Sequence, residues 1–366
     1  MLNNKTVAVV VPAYNEETQI GMVIETMPDF VDRIIIVNDC SKDKTADVIE
    51  GYINTDKRSN IIITNKLQIK FVGNLYNYAE QVMHEESIKE IQLFNPSEVI
   101  NKKPENDRII LINHIVNGGV GGAIATGYKW CKDHDIYCTA VMAGDGQMDP
   151  AELEKICLPI VNEGVDYVKG NRLIHRSAWL VIPKIRYFGN SILSILTKLA
   201  SGYWRVSDTQ TGYTAISNSA LNAIRLHEIY RSYGMPNDML VKLNIAMCTL
   251  REIPIKPVYK VGEESKMKIG NVIPKISFLL FKSFFKRLWI KYLFRDFHPL
   301  FLLYHFSFFL CIAWLPYLYK VAKVIYTGAN ISFETLFAFS FLTITAFQSL
   351  LFAMWMDIQD NERLYK

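Results

Sequence analysis

The sequence contains no CxxC pair and no cysteine/histidine spacing suited to zinc, which excludes a disulfide framework and a zinc module. Cys40, Cys131, Cys138, Cys157, Cys248 and Cys311 mostly sit in apolar surroundings and read as reduced, buried thiols of a cytosolic compartment. Charge of one sign is scarce as well. Lys and Arg number 40 against 36 Asp and Glu, and the formal net charge of +4 gives no argument for nucleic acid. A signal-peptide core is missing, because the early apolar run at 7–11 is too short and meets Pro12 at once. The N-terminal domain is therefore expected to stay in the cytosol. A dinucleotide fingerprint fails too: Gly119 and Gly121 are followed by Ile124 where a third glycine belongs, and no acidic residue stands about 20 positions on.

What is present is a chain of 366 residues, long enough for one large α/β domain with an accessory region. Short β-branched runs at 7–11 and 33–37 flank a helical stretch at 16–27, which makes a βαβ unit and predicts a parallel sheet. A helix at 45–52, strands at 108–113 and 137–142 and a helix at 121–133 continue the rhythm, so the N-terminal half reads as doubly wound α/β. Residues 54–107 interrupt it and read as an insertion, most simply a surface excursion without chemistry.

The C-terminal third changes character. Residues 273–294 alternate apolar residues with Lys275, Lys282, Lys286, Arg287 and Lys291, the pattern of a cationic amphipathic helix on a membrane surface. Residues 299–319 and 335–356 carry no Asp, Glu, Lys or Arg, and each reaches the roughly 20 residues needed to cross a bilayer core. Two spans are predicted, with the catalytic side and the C-terminal tail both cytoplasmic.

Chemistry is expected where the strands end. Pro12, Tyr14 and Glu16 close the first strand, and Asn38 and Asp39 the second, at the carboxyl edge where open α/β sheets bind ligands. Asn, Asp and Ser41 there also serve as helix caps. The run Gly118-Gly119-Val120-Gly121-Gly122 opens a helix, and its amides could approach a phosphate. Asp145-Gly146-Gln147 follows an apolar strand and offers two oxygen ligands for Mg²⁺ or Mn²⁺ shared with a diphosphate, while Asp149 reads as the cap of the helix at Pro150.

These ordered motifs resemble family-two glycosyltransferases of GT-A fold over most of residues 5–270, in the dolichyl-phosphate mannose synthase-like and polyprenyl-phosphate branch. The resemblance implies that Pro12, Tyr14, Glu16 and Asp39 hold the nucleotide beside the Gly118 and Gly121 loop, and that Asp145 and Gln147 bind the metal. Ala143 stands where relatives often carry a further acid, and Thr214 where many carry a base. Lys169-Gly170-Asn171-Arg172 resembles the family's Gly-Ser-Arg segment, and Arg186 lies where lipid-phosphate users place an arginine; both suit a phosphate, and both could equally form ion pairs. Asp208-Thr209-Gln210-Thr211-Gly212-Tyr213 resembles the acceptor-side motif, Asp238 occupies the position of a general base, and Lys266 and Lys268 lie in a loop able to reach phosphate.

The implied organisation is a GT-A domain at 1–265 carrying the 54–107 insertion, interfacial helices at 266–297, a transmembrane hairpin at 298–357 and a tail at 358–366. The implied activity is metal-dependent, inverting transfer of a hexose from a UDP- or GDP-linked donor to undecaprenyl or dolichyl phosphate at the cytoplasmic membrane face, with Asp145, Arg172 and Asp238 as the catalytic set. Two alternatives stand beside it: extension of a lipid-linked saccharide, and a silent membrane scaffold that binds sugar nucleotides. The partners are the donor, the lipid acceptor and the membrane, with room for a homo-oligomer.

Overall fold

The computed structural model describes every residue except 57–60, 69–73, 75, 259–268 and 329, with backbone alone at 185, 186, 188 and 269–272. Strands β1 (Val7–Ala13), β2 (Arg33–Asn38), β3 (Ser97–Val99), β4 (Ile109–His114), β5 (Cys138–Val141), β6 (Tyr167–Asn171), β7 (Thr214–Ser217) and β8 (Leu250–Pro254) form one sheet in the order β3-β4-β2-β1-β5-β7-β6-β8. The centre is parallel, β4-β2-β1-β5, as the βαβ pattern requires. The sheet as a whole is mixed, because β7 runs against both β5 and β6 and β3 against β4.

Alternation along the strands builds two cores, since successive side chains leave opposite faces. Val10, Ile35, Val37 and Ile110 face α4 (below), whereas Val9, Val11, Ile34, Ile36 and Leu111 face the other side. Eleven further helices complete the chain around α4 (Val120–Asp133): α1 (Ile20–Glu25), α2 (Thr45–Thr55), α3 (Tyr78–Glu90), α5 (Leu153–Glu163), α6 (Ala178–Val181), α7 (Lys184–Ser201), α8 (Asn218–Ala223), α9 (Met235–Ile245), α10 (Ile269–Trp289), α11 (Pro299–Thr327) and α12 (Phe333–Glu362). Helix α1 starts later than the apolar periodicity at 16–27 suggests. Side chains from the second loop hold residues 16 and 17 in a turn, for Glu16 N donates to Thr45 Oγ1 at 2.9 Å and Glu17 N to Asp43 Oδ2 at 3.2 Å.

The insertion is more than a loop. Its helix α3 buries no residue, but β3 extends the sheet beyond β4, and Asn95 reaches back to Val116 O.

Helices α11 and α12 pack together as a hairpin, and both are long and apolar enough to cross a membrane. The apolar runs at 299–319 and 335–356 lie within them, although each helix continues further. Two expectations change here. The segment 358–366 is not a free tail: α12 runs to Glu362, Leu364 is buried, and Leu250 N donates to Leu364 O at 2.7 Å beside the outer strand β8. Nor does the cationic helix turn all its charges to a membrane surface. Lys275, Lys282 and Lys286 are exposed, but Arg287 and Lys291 are fully buried against Asp357, Asp360 and Asn361. Among the cysteines, Cys40 is half-buried and Cys311 exposed on α11, so only the other four fit the reading of buried thiols.

Candidate active site

The carboxyl ends of β1, β2 and β5 converge. Asp39 N donates to Ala13 O at 2.9 Å and Gly144 N to Pro12 O at 3.4 Å, which sets the end of β1 between Asp39 and the turn carrying Asp145. Tyr14 is partly exposed on this edge. Asn15 has φ of 55° and Cys40 of 61°, conformations that cost a non-glycine residue energy. Side chains hold both loops there: Asn15 N donates to Ser41 Oγ at 3.0 Å and Lys42 N to Asn15 Oδ1 at 2.8 Å.

Asp39 is buried and organises this edge from within. Its Oδ1 lies 2.7 Å from His114 Nδ1 and accepts from Gly118 N at 2.7 Å, while His114 Nε2 meets Thr126 Oγ1 at 2.9 Å on α4. Asn117 adds a bond from Nδ2 to Asp39 O at 3.0 Å. Two amides of the glycine run are engaged within the protein: Gly118 N donates to Asp39, and Gly121 N to Arg231 O at 3.0 Å. A Cβ on Gly118 would lie 1.7 Å from Asn95 Nδ2, and one on Gly121 1.9 Å from Tyr230 O, so these two glycines admit a close approach of the protein's own loops.

The turn after β5 is the second element. Gly146 has φ of 72°, and Asp145 Oδ1 accepts from Gln147 N at 3.0 Å, so the two oxygen-bearing side chains flank a tight bend. Asp149 is the helix cap it was read to be, with Oδ1 accepting from Ala151 N at 2.9 Å. Asp145, Gln147, Arg172, Thr211, Tyr213 and Lys256 line one cleft. Among the described residues no three His, Cys, Asp or Glu side chains converge as a ready-made metal cage. Asp145 with Gln147 nonetheless fits an ion of the Mg²⁺ type, which takes one or two carboxylates and completes its shell with phosphate oxygens and water.

The opposite wall rests on Asp208. Arg172 grips it in a fork, Nε to Oδ2 at 2.8 Å and Nη2 to Oδ1 at 3.0 Å. Thr211 N also donates to Oδ1, at 3.2 Å. Burial alone would push the Asp208 carboxyl up, but the Arg172 charge and hydrogen bonds, with Lys169 nearby, outweigh it and hold the carboxyl below the usual range. Arg172 is thus both a cleft residue and half of an ion pair.

Asp238 Oδ2 accepts from Lys242 Nζ at 2.6 Å and from Tyr230 N at 2.9 Å, which ties the 230 loop to α9. Arg186 lies on α7 with its side chain outside the described residues, and Lys266 and Lys268 lie outside them altogether. Sequence reasoning missed His114, Lys169, Glu252 and Lys256. Lys169 was legible only as a charged residue inside an apolar strand, and the others carried no local signal.

Residues 8–83 and 95–225 match the family model described as Glycosyl transferase family 2, and the unmatched stretch between them falls in the insertion. Over 290 residues the chain is 28% identical to the UDP-N-acetylglucosamine--dolichyl-phosphate N-acetylglucosaminyltransferase of Methanococcus voltae, across 79% of this chain and 97% of that one. Over 169 residues it is 25% identical to the undecaprenyl-phosphate mannosyltransferase of Micrococcus luteus, across 46% of this chain and 68% of that one. Among solved structures, glucosyl-3-phosphoglycerate synthase from Mycobacterium tuberculosis aligns with a TM-score of 0.46 at 16% identity, over 78% of this chain and 80% of that one.

Proposed function

The chain belongs to glycosyl transferase family 2, and we propose that this glycosyltransferase moves a hexose from a nucleoside-diphosphate sugar to a polyprenyl phosphate, with inversion at the anomeric carbon. One observation carries the reading: Asp145 and Gln147 share a cleft with Arg172, so groups suited to a diphosphate-bound cation and to a phosphate face the same space. The names of the two relatives point to the same acceptor class.

Pro12, Tyr14 and Asp39, at the sheet edge, take the nucleotide in this reading, with Glu16 on the adjoining turn. Asp145 and Gln147 would hold Mg²⁺ or Mn²⁺, which when bound offsets charge on the departing diphosphate. Arg172 orients the acceptor phosphate; Arg186, Lys266 and Lys268, which the family resemblance also assigns to that phosphate, fall outside the described side chains. A phosphate oxygen bonds to the anomeric carbon as the bond from that carbon to the diphosphate breaks, and the electron pair leaves with the nucleoside diphosphate. No proton has to be removed, because a phosphate monoester with a second pKa near 6 arrives as an anion.

This accords with Asp238 being engaged by Lys242 and Tyr230. Extension of a lipid-linked saccharide would instead need a base at the acceptor hydroxyl. Two helices long and apolar enough to cross a membrane support a lipid acceptor, and in this reading the catalytic domain lies on the cytoplasmic face. The test is turnover: purified protein in detergent with dolichyl and undecaprenyl phosphate, a UDP- and GDP-sugar panel and Mn²⁺, read by mass spectrometry of the lipid. A glycosyl phospholipid is expected. Product only on a saccharide-bearing lipid would favour the second reading.

A further inference from the structure

Beneath the cleft lies a lysine that the transfer reaction leaves unused. Lys169 sits in β6 between β7 and β8, opposite Thr214 on one side and Glu252 on the other. It is fully buried, and its Nζ donates to Thr211 O at 2.5 Å. Three charged groups face it: Asp208 from the segment before β7, Glu252 from β8 and Arg172 from the end of its own strand.

Hydrogen bonds link Asp208, Glu252 and Arg172, and Lys169 joins them through Thr211, whose carbonyl it holds and whose N–H donates to Asp208. Asp208 takes the Arg172 fork and Thr211 N. Glu252 Oε1 accepts from Ser207 N at 2.9 Å and Asp208 N at 3.1 Å, and its Oε2 from Asn171 Nδ2 at 2.8 Å. The cations Lys169 and Arg172 therefore face the anions Asp208 and Glu252. Without the lysine charge, more of the Asp208 charge would fall to Arg172, which already holds it in a fork. The Arg172 guanidinium would then be drawn to that carboxylate and away from any anion entering above.

Resting on the proposed phosphate acceptor, we infer that Lys169 is a positioning residue: its ammonium balances Asp208 and Glu252 from below so that Arg172 keeps its charge available to a phosphate in the cleft. The lysine touches no substrate, and its effect passes through Asp208 and through the Thr211 carbonyl at the cleft wall. Burial lowers its pKa to about 8, against the pull of Asp208 and Glu252, so it is charged below that pH and neutral above. Phosphate affinity accordingly falls as pH rises through that value. The acceptor phosphate itself titrates near pH 6 and does not confuse the alkaline limb.

The test compares farnesyl phosphate with farnesol as probes, bound to the full-length protein in detergent from about pH 6.5 to 9.5. Wild type, Lys169→Arg and Lys169→Met are measured, with thermal unfolding to verify folding. Wild type should prefer the phosphate and lose that preference near pH 8, the value to which Lys169 is lowered. Lys169→Arg, which stays charged, should keep it to the alkaline end. Lys169→Met should bind farnesyl phosphate about tenfold more weakly than wild type below pH 8 and like wild type above it, with farnesol unchanged. A folded Lys169→Met that binds like wild type below pH 8, or a Lys169→Arg with the same alkaline loss, overturns the role of Lys169. If Lys169→Met does not fold, Lys169→Arg alone decides. A wild type that does not distinguish phosphate from alcohol overturns the acceptor reading, and this role with it.

Discussion

Arg287 and Asp357, 70 residues apart, meet fork to fork with both side chains fully buried, Nη1 to Oδ1 at 2.7 Å and Nη2 to Oδ2 at 2.8 Å. The pair joins three parts of the chain. Arg287 comes from α10 and also donates to Leu199 O and Ala200 O at the end of α7, while Asp357 lies in the last two turns of α12. Removing one partner strands a buried charge, whereas replacing both does not. Asp357→Ala should lower stability in detergent by ~3–5 kcal/mol, and Arg287→Met with Asp357→Leu by clearly less. Chemical denaturation followed by tryptophan fluorescence measures both, and equal losses would show that the pair is a bystander.

Asp208 should matter for activity and for acid tolerance. Asp208→Asn loses the charged grip on Arg172, and kcat/KM for the lipid acceptor should fall about ten- to a hundredfold, the equivalent of ~1.5–3 kcal/mol. The folded carboxyl lies below its ordinary value, so its stabilising contribution is complete above the unfolded pKa of about 4 and disappears as pH falls below it. As pH falls below about 4 the wild type should lose more stability than Asp208→Asn does. Parallel acid unfolding curves for the two proteins would exclude this.

The glycine run offers a contrast within two positions. A Cβ at Gly121 would lie 1.9 Å from the Tyr230 carbonyl oxygen, which is backbone, whereas at Gly122 the nearest atom is Asn95 Nδ2 at 3.7 Å. Gly121→Ala should cost ~1–3 kcal/mol or more and disturb the 230 loop. Gly122→Ala should be close to neutral, and thermal unfolding of the two variants checks the difference.

Asp238→Asn separates the acceptor classes. With a phosphate acceptor the rate should drop less than about tenfold, because the group acts through loop placement and not proton transfer, whereas a general base lost outright costs about 10²–10⁴. Initial rates on dolichyl phosphate decide between them.

Much of the fold was legible because its central strands β1, β2 and β4 are rich in β-branched residues and its two long apolar helices hold uncharged runs at 299–319 and 335–356. These are local signals. The start of α1 was not legible, since Thr45 and Asp43, which hold residues 16 and 17 in a turn, lie a full βαβ unit away. The glycine run alone does not name its neighbours, because sequence spacing records a close approach without saying what approaches, and at Gly118 and Gly121 Asn95 and Tyr230 do. Arg287 and Lys291 read as surface charges because Asp357 and Asn361, which take them inside, stand some 70 residues on, at the far end of α12. In the site, the Asp145 turn was plain from its glycine and its apolar strand, but Glu252 and His114 acquire meaning only through partners brought in by the sheet.

Asp145 is the most direct point of attack. A structure with UDP and Mn²⁺ soaked together should place an Asp145 carboxylate oxygen about 2.0–2.2 Å from an ion that also touches the diphosphate, and Asp145→Asn should abolish that density together with turnover. An ion on the diphosphate with Asp145 turned away, or full activity in Asp145→Asn, would contradict the proposed site.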